Sequence, residues 1–180
     1  MFVRSKAGGF VPEFRAVCSP EAKNAPLFPA TLPEGLCDPH ALKLAWAAGF
    51  IDGDGCVSAV IQRHQNRITP SVRIRVVIVQ NDHYVLQVLK NVLGESGALN
   101  ALKRQPCQNR QPYQLQYDSG HAIAVLKKIR PYLVRKAREA DACMELFIVG
   151  RLNKMPGPKG FPQEVLRARY YWVGRIGRLK

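Results

Sequence analysis

Residues 38–55, "DPHALKLAWAAGFIDGDG", place a predicted helix directly before an acidic, glycine-rich turn. Asp38 is a good N-cap and Pro39 suits the first helical position, so the helix is expected to begin there. The helix runs into two aspartates, each followed by glycine, and from Cys56 the pattern becomes that of a strand. The acidic, glycine-rich segment at 52–55 therefore stands between the predicted helix and the predicted strand.

The predicted helix has two contrasting faces. Leu42, Trp46 and Phe50 are spaced by four and form an apolar stripe, which is expected to face the core. A second face is almost bare of side chains and consists of Ala45, Ala48, Gly49 and Asp52. Small residues in such a row let another helix approach closely. We therefore expect this second face to pack against a partner helix.

The rest of the chain alternates between helical and strand-like periods. The predicted elements are strands at 56–64 and 71–79, a helix closed by Gly94, a hairpin made of "GALNALKR" and "PYQLQYD", a helix at 120–130, a long helical run at 132–152 and a last helix after Pro162. The helix–strand–strand unit occurs twice. This order predicts an α/β (α+β) fold with an αββαββα core, a four-stranded antiparallel sheet and extra C-terminal helices.

Domain organisation follows from the same pass. Residues 1–37 contain five prolines and little apolar period, which predicts an irregular N-terminal extension. Residues 38–180 are expected to form a single domain. No apolar run is long enough for a membrane helix, and no secretory signal is recognisable. The five cysteines include no CxxC pair, which argues against a zinc site.

The charge of the chain indicates its partner. The 27 Lys and Arg residues outnumber the 13 Asp and Glu residues, for a net charge of +14. Between Gly55 and Ala137, where the sheet is predicted, only Asp82, Glu95 and Asp118 are acidic. A basic sheet face favours a polyanion, and nucleic acid is the leading candidate.

The segment "AAGFIDGDG" at 47–55 resembles the signature of the LAGLIDADG homing endonucleases, with seven of nine positions fitting. The resemblance implies a saddle-like sheet and double-stranded DNA with a long pseudo-palindromic target as the partner. Only one copy of the motif is found, which in that family implies a homodimer whose two motif helices meet at its axis. It also implies an intron-encoded protein inside the cell, in an organelle or in an archaeal or bacterial cytoplasm.

The same resemblance assigns roles to five residues. Asp54 would be the metal ligand, with the carbonyl of Gly53 as an additional ligand, whereas Asp52 would be structural. Gln80 would order active-site water, and Lys136 would lie near the scissile phosphate. The implied cofactor is Mg²⁺, and Mn²⁺ or Ca²⁺ can occupy the same site. Hard cations suit this role because they take oxygen ligands and need few carboxylates.

Strand alternation identifies the side chains that could read DNA. A two-stranded ribbon fits the major groove, and alternate residues share one face. The candidates on the first two strands are Ser58, Val60, Gln62, His64, Ser71, Arg73, Arg75, Val77 and Val79. Those on the second hairpin, whose register the sequence leaves open, are Asn100, Lys103, Arg104, Gln114 and Gln116. Arg73 and Arg75 are the best base readers, because a guanidinium can bond guanine O6 and N7 together.

Two other functions fit the same fold. One is an intron maturase, an RNA-binding protein that assists splicing. The other is a DNA-binding regulator that does not cleave. The intact "DGDG" at 52–55 argues against the regulator, which needs no metal aspartate, but leaves the maturase open.

Overall fold

The computed structural model describes residues 38–63, 69–105, 109–157 and 160–180. The predicted extension at 1–37 and the candidate reader His64 lie outside the described residues, so both stay predictions. Helices and strands follow one another in the order α1 Pro39–Asp54, β1 Gly55–Gln62, β2 Ser71–Gln80, α2 His83–Leu93, β3 Ala98–Ala101, β4 Tyr113–Asp118, α3 Ser119–Ile129, α4 Ala137–Val149 and α5 Gln163–Arg178. This order and the structural relatives reported below confirm the predicted αββαββα core with additional C-terminal helices.

The four strands form one antiparallel sheet in the order β1-β2-β4-β3. Its inner face carries buried apolar side chains such as Val57, Ile74, Ile78 and Leu115, and the first three helices pack there. The alternate residues form the opposite face, which we call the outer face. Within the described residues it comprises Cys56, Ser58, Val60, Gln62, Ser71, Arg73, Arg75, Val77, Val79, Ala98, Asn100, Gln114, Gln116 and Asp118.

The ends of the helices follow from local chemistry. Asp38 accepts a hydrogen bond from the backbone N–H of His40 at 3.0 Å, which confirms the predicted start of α1. Asp82 caps α2 in the same way, through the N–H of Tyr84 at 2.9 Å. Gly94 ends α2 with a φ of 63°, a left-handed conformation that glycine adopts without steric cost.

The buried face of α1 differs from the predicted one. Leu44, Ala47, Ala48 and Ile51 line the core, at the spacing i, i+3, i+4 and i+7. The prediction that Ala48 contacts a second chain is therefore wrong, because its side chain is completely buried within its own chain. The large side chains lie at the margin of the core, where Leu42, Trp46 and Phe50 are only half-buried. Small residues thus serve the packing of α1 into the core of its own chain.

The long helical run expected at 132–152 is also wrong at its start. A short 3-10 helix, Arg130–Tyr132, is followed by a turn over residues 133–136, and α4 begins only at Ala137. The residues of the turn are compatible with a helix in isolation. Their backbone N–H groups instead bind a carboxylate on α1, described below, and this tertiary interaction outweighs local propensity.

The C-terminal helices pack against each other and against β1, a strand at the end of the sheet order. Arg169 of α5 is buried, and its Nε donates to the carbonyl of Gly150 at 2.8 Å. Its guanidinium also lies 4.0 Å from the ring centroid of Phe161. None of the helices in the described ranges is long and apolar enough to cross a membrane.

Candidate active site

Asp54 is the last residue of α1, and its side chain is exposed. β1 begins at the next residue, Gly55, so no loop separates the helix from the strand. A Cβ atom at Gly55 would lie 2.7 Å from the carbonyl oxygen of Ile51, too close for any side chain. A Cβ at Gly53 would meet nothing within 4 Å. The junction therefore requires glycine at position 55, while the surroundings of Gly53 are open.

Gln80, the last residue of β2, lies beside Asp54. Its Nε2 donates a hydrogen bond to Oδ2 of Asp54 at 2.6 Å. The antiparallel register explains the contact, because Gly55 pairs with Ile78 and the end of β2 therefore returns to the start of β1. Two residues that are 26 positions apart in the chain are thus brought together at one corner of the sheet.

Asp52 binds the turn over residues 133–136. Its carboxylate accepts hydrogen bonds from the backbone N–H groups of Val134 at 2.7 Å, Arg135 at 3.1 Å and Lys136 at 2.9 Å. Burial raises the pKa of Asp52, but these three bonds and the charge of Lys136 outweigh burial and hold it below its ordinary value. The carboxylate of Asp52 is therefore used for connecting two segments of its own chain.

Lys136 is attached to the same end of α1. Its Nζ donates to the backbone carbonyl of Asp52, and its side chain is buried, with only 6% exposed. Burial lowers the pKa of Lys136, and the neighbouring Arg135 lowers it further, against the opposing effect of Asp52. Asp54 is itself part of the last turn of α1. Gln80 is held there by its bond to Asp54, and Lys136 by its bonds to Asp52.

A pocket beside this corner was not anticipated from the sequence. Its lining residues are Gly55, Cys56, Val57, Arg135, Lys136, Glu139 and Lys180. Nζ of Lys180 lies 3.4 Å from Sγ of Cys56. Lys180 is 126 positions from Asp54, and no local pattern in the sequence signals that a residue beyond the end of α5 reaches this corner. Three cations therefore surround the start of β1.

The chemistry of the donors fits a hard divalent cation. Asp54 offers an exposed carboxylate, and the neighbouring Gly53 has no side chain that could block its carbonyl. Over the ranges that the structure describes, no three His, Cys, Asp or Glu side chains cluster closely enough to hold a metal ion. A single carboxylate with backbone and water oxygens is the kind of set that Mg²⁺ accepts, since it keeps several of its own waters.

Two other residues of the predicted dimer interface remain accessible on α1. Gly49 is exposed and Ala45 is half-buried, so both are accessible on α1. Trp46 and Phe50 lie near them, with ring centroids 5.6 Å apart. The accessible surface of α1 therefore combines small residues with two half-buried aromatic side chains.

The outer face gathers most of the predicted DNA readers. Ser58 lies opposite Arg75, Val60 opposite Arg73 and Gln62 opposite Ser71. Pairing of β3 with β4 settles the register of the second hairpin and places Asn100 opposite Gln114. Val77 and Val79 complete the face on β2, while Lys103 and Arg104 lie beyond the end of β3 and are exposed.

One residue of the outer face was missed. Asp118, the last residue of β4, lies directly opposite Arg75, and its Oδ1 accepts from Nε of Arg75 at 3.2 Å. The signal was available in the sequence, because Asp118 is spaced by two from Gln116 and therefore shares its face. Arg75 is thus not a free cation on this surface.

Comparison with known proteins gives a consistent result. The family model described as LAGLIDADG endonuclease matches residues 47–141. The DNA endonuclease I-CvuI of Chlorella vulgaris is 27% identical over 122 residues, which cover 66% of this chain and 68% of the relative.

Solved structures agree in fold. I-CvuI in complex with its target in the presence of 2 mM Ca aligns with a TM-score of 0.63 and 27% identity, over 78% of this chain and 83% of the other. Another I-CvuI complex was obtained in 2 mM Mg with its DNA not cleaved. The archaeal intron-encoded homing endonuclease I-Vdi141I, bound to DNA, is 19% identical with a TM-score of 0.63, covering 78% and 85% of the two chains, and supports the fold alone.

Proposed function

The chain belongs to the LAGLIDADG endonuclease family, and from this premise we propose how its residues cut DNA. The chain is a site-specific homing endonuclease whose partner is DNA. The observation that carries the proposed site is the hydrogen bond between Gln80 and Asp54, at an exposed corner of the sheet. It ties the proposed metal ligand to the end of β2, the strand that carries Arg73 and Arg75 on the outer face.

Asp54 would hold the cation through the oxygen that Gln80 leaves open, with the carbonyl of Gly53 beside it. Mg²⁺ is the proposed ion, and Mn²⁺ or Ca²⁺ would occupy the same place. When bound, such an ion supplies an activated water and stabilises the charge of the leaving oxygen. Gln80 would keep the Asp54 carboxylate in one orientation and present its remaining N–H and carbonyl to active-site water.

Lys136 would place a positive charge near the scissile phosphate. Its burial and its bond to the carbonyl of Asp52 support a fixed rather than a mobile cation. The hydrogen bonds of Asp52 to the turn over residues 133–136 would hold that lysine at a constant distance from Asp54. In this proposal Asp52 positions catalytic groups and does not contact the substrate.

A homodimer would complete the site. Each chain supplies one Asp54, and cutting two strands needs two scissile phosphates to be addressed. Two copies that meet through Ala45 and Gly49, with Asp52 at the end of that face and Phe50 beside it, would bring the two corners together. One half-site of a long pseudo-palindromic duplex would then lie on each outer face. A basic chain of this kind would act inside the cell, in an organelle or in a prokaryotic cytoplasm.

A cleavage assay tests the proposal, with DNA that spans the insertion site of the proposed intron in its uninterrupted form. The wild-type chain is expected to cut both strands with Mg²⁺ and not with EDTA. Asp141→Asn is a control for the general effect of removing a carboxylate. Asp141 is exposed and bound to Arg130, so this variant should cut normally. Sedimentation should give twice the mass of one chain; a monomer at micromolar concentration would contradict the dimer.

A further inference from the structure

Four polar side chains form a continuous hydrogen-bonded series across the middle of the outer face. Gln114 donates through Nε2 to Oε1 of Gln116 at 2.7 Å, and Gln116 donates through Nε2 to Oδ2 of Asp118 at 2.8 Å. The other oxygen of Asp118 accepts from Nε of Arg75 at 3.2 Å. Both oxygens of Asp118 are therefore bound to side chains of this surface.

The backbone makes this series possible. Asp118 pairs directly with Arg75, and Gln116 and Gln114 precede it at alternate positions on β4. The side chains of Arg75 and Asp118 keep 30% and 37% of their surface exposed, so the series is accessible to a ligand. On the neighbouring strands, Gln116 lies between Val77 of β2 and Ala98 of β3, and Gln114 lies between Val79 and Asn100.

Asp118 also occupies a position where a carboxylate would ordinarily do something else. It is the N-cap residue of α3, yet it makes no side-chain capping bond to that helix. The next residue, Ser119, has a φ of 48°, which costs free energy in a residue other than glycine. The chain thus turns sharply from β4 into α3 while the carboxylate stays on the outer face.

A carboxylate imposes a direction on this series because it can only accept hydrogen bonds. Gln116 must turn its NH₂ group toward Asp118, which leaves its carbonyl oxygen to accept from Gln114. The carbonyl oxygen of Gln114 is then left for a ligand. Arg75, bound through Nε, keeps its two terminal NH₂ groups available. Asp118 therefore determines which donors and acceptors the centre of the outer face presents.

We propose that Asp118 is a positioning residue for DNA recognition: it fixes Arg75, Gln116 and Gln114 in one orientation and so sets the bases preferred at the centre of each half-site. This inference rests on the proposed function. Arg75 held in this way presents its terminal NH₂ groups to guanine O6 and N7, and Gln114 and Gln116 present an ordered pattern of amide groups to the neighbouring base pair. The negative charge of Asp118 serves recognition by orienting its neighbours.

The first test concerns the protein without DNA. In NMR spectra of the full chain, the Nε–H of Arg75 is expected to exchange slowly with water, and Asp118→Asn is expected to abolish that protection. The control is Asp141→Asn, which removes a carboxylate bound to Arg130 and adds the same charge to the protein. Rapid exchange of the Arg75 Nε–H in the wild type would overturn the inference.

The second test is a selection from duplexes of random sequence, with Ca²⁺ present and the bound DNA sequenced. Asp118→Asn should reduce the preference for the favoured base about tenfold at one or two positions per half-site. Asp141→Asn should leave every preference unchanged. Gln116→Ala, which keeps the pair of Asp118 and Arg75, should lose only the preference read by the two glutamines, and it decides the matter if Asp118→Asn does not fold.

The outcomes separate the two proposals. If the wild type selects a sequence and the variants select the same one, the inference about Asp118 is wrong while the endonuclease assignment stands. If the wild type selects no sequence, the proposed recognition function fails and the inference fails with it. Tighter and equally selective binding by Asp118→Asn would mean that Asp118 merely neutralises Arg75, which also contradicts the proposal.

Discussion

The last turn of α1 has two sides with opposite uses. On one side, Asp52 accepts three backbone hydrogen bonds from the turn over residues 133–136. On the other side, Asp54 is exposed and receives one hydrogen bond from Gln80. Two identical side chains, separated by one glycine, thus differ in how many of their acceptor positions the chain itself occupies. An aspartate whose acceptors are filled stabilises the fold, whereas one with an open oxygen is available for chemistry.

The largest expected effect on stability is that of Asp52→Ala. Three backbone N–H groups would lose a charged acceptor, and the free energy of unfolding should fall by about 2–4 kcal/mol. Urea unfolding followed by circular dichroism measures it. Asp54→Ala is the matched variant and should stay within about 0.5 kcal/mol of the wild type. Equal losses in the two variants would remove the distinction between the two sides.

The two glycines at the same junction should also differ in how much a substitution costs in stability. Gly55→Ala puts a Cβ against the carbonyl of Ile51 and should cost about 1–3 kcal/mol of unfolding free energy. Gly53→Ala meets no neighbour and should change stability by less than about 1 kcal/mol. Thermal unfolding of both variants checks this. A Gly55→Ala chain as stable as the wild type would show that the junction tolerates a side chain.

Gln80 provides a test of the role assigned to the exposed Asp54. Gln80→Ala should lower the single-turnover cleavage rate about 10- to 100-fold, because the Asp54 carboxylate loses the donor that orients it. Stability and DNA affinity should be nearly unchanged, since the bond is exposed. Cleavage rates and gel-shift titrations on the same preparations measure both. If affinity falls as much as rate, Gln80 serves binding instead.

The smallest expected effect is on the pH dependence of stability. The pKa of Asp52 is lower in the folded chain than in the unfolded chain, so its contribution is fully present above the unfolded value. That contribution is lost as the pH falls through the folded pKa. Asp52→Asn should therefore lose less unfolding free energy than the wild type on acidification below about pH 4. Parallel pH profiles would contradict the assignment.

The fold was predictable because its signals are local. The caps at Asp38 and Gly94, the alternation in β2 and the repeated helix–strand–strand order each depend on neighbouring residues. The buried face of α1 was not predicted correctly. The large Phe50 was assigned to the core and the small Ala48 to a partner, on the basis of side-chain size. The structure shows that the small Ala48 is completely buried, whereas Phe50 is only half-buried.

Some features of the candidate site were also predictable from the sequence, and others were not. Asp54 and Gln80 were found through the resemblance, and the register of β1 with β2 then explains why they meet. The turn over residues 133–136 could not be predicted, because its backbone N–H groups bind Asp52, which lies over 80 positions away in the chain. The partnership of Arg75 with Asp118 required the pairing of β2 with β4, which no periodicity specifies.

The central claim is that Asp54 carries the chemistry and Asp52 the structure. It is tested most directly by measuring single-turnover cleavage of the target duplex and unfolding free energy for Asp54→Asn in the same preparation. The account predicts that this variant binds the duplex, unfolds like the wild type and does not cut in Mg²⁺. Cleavage by Asp54→Asn at the wild-type rate would contradict it.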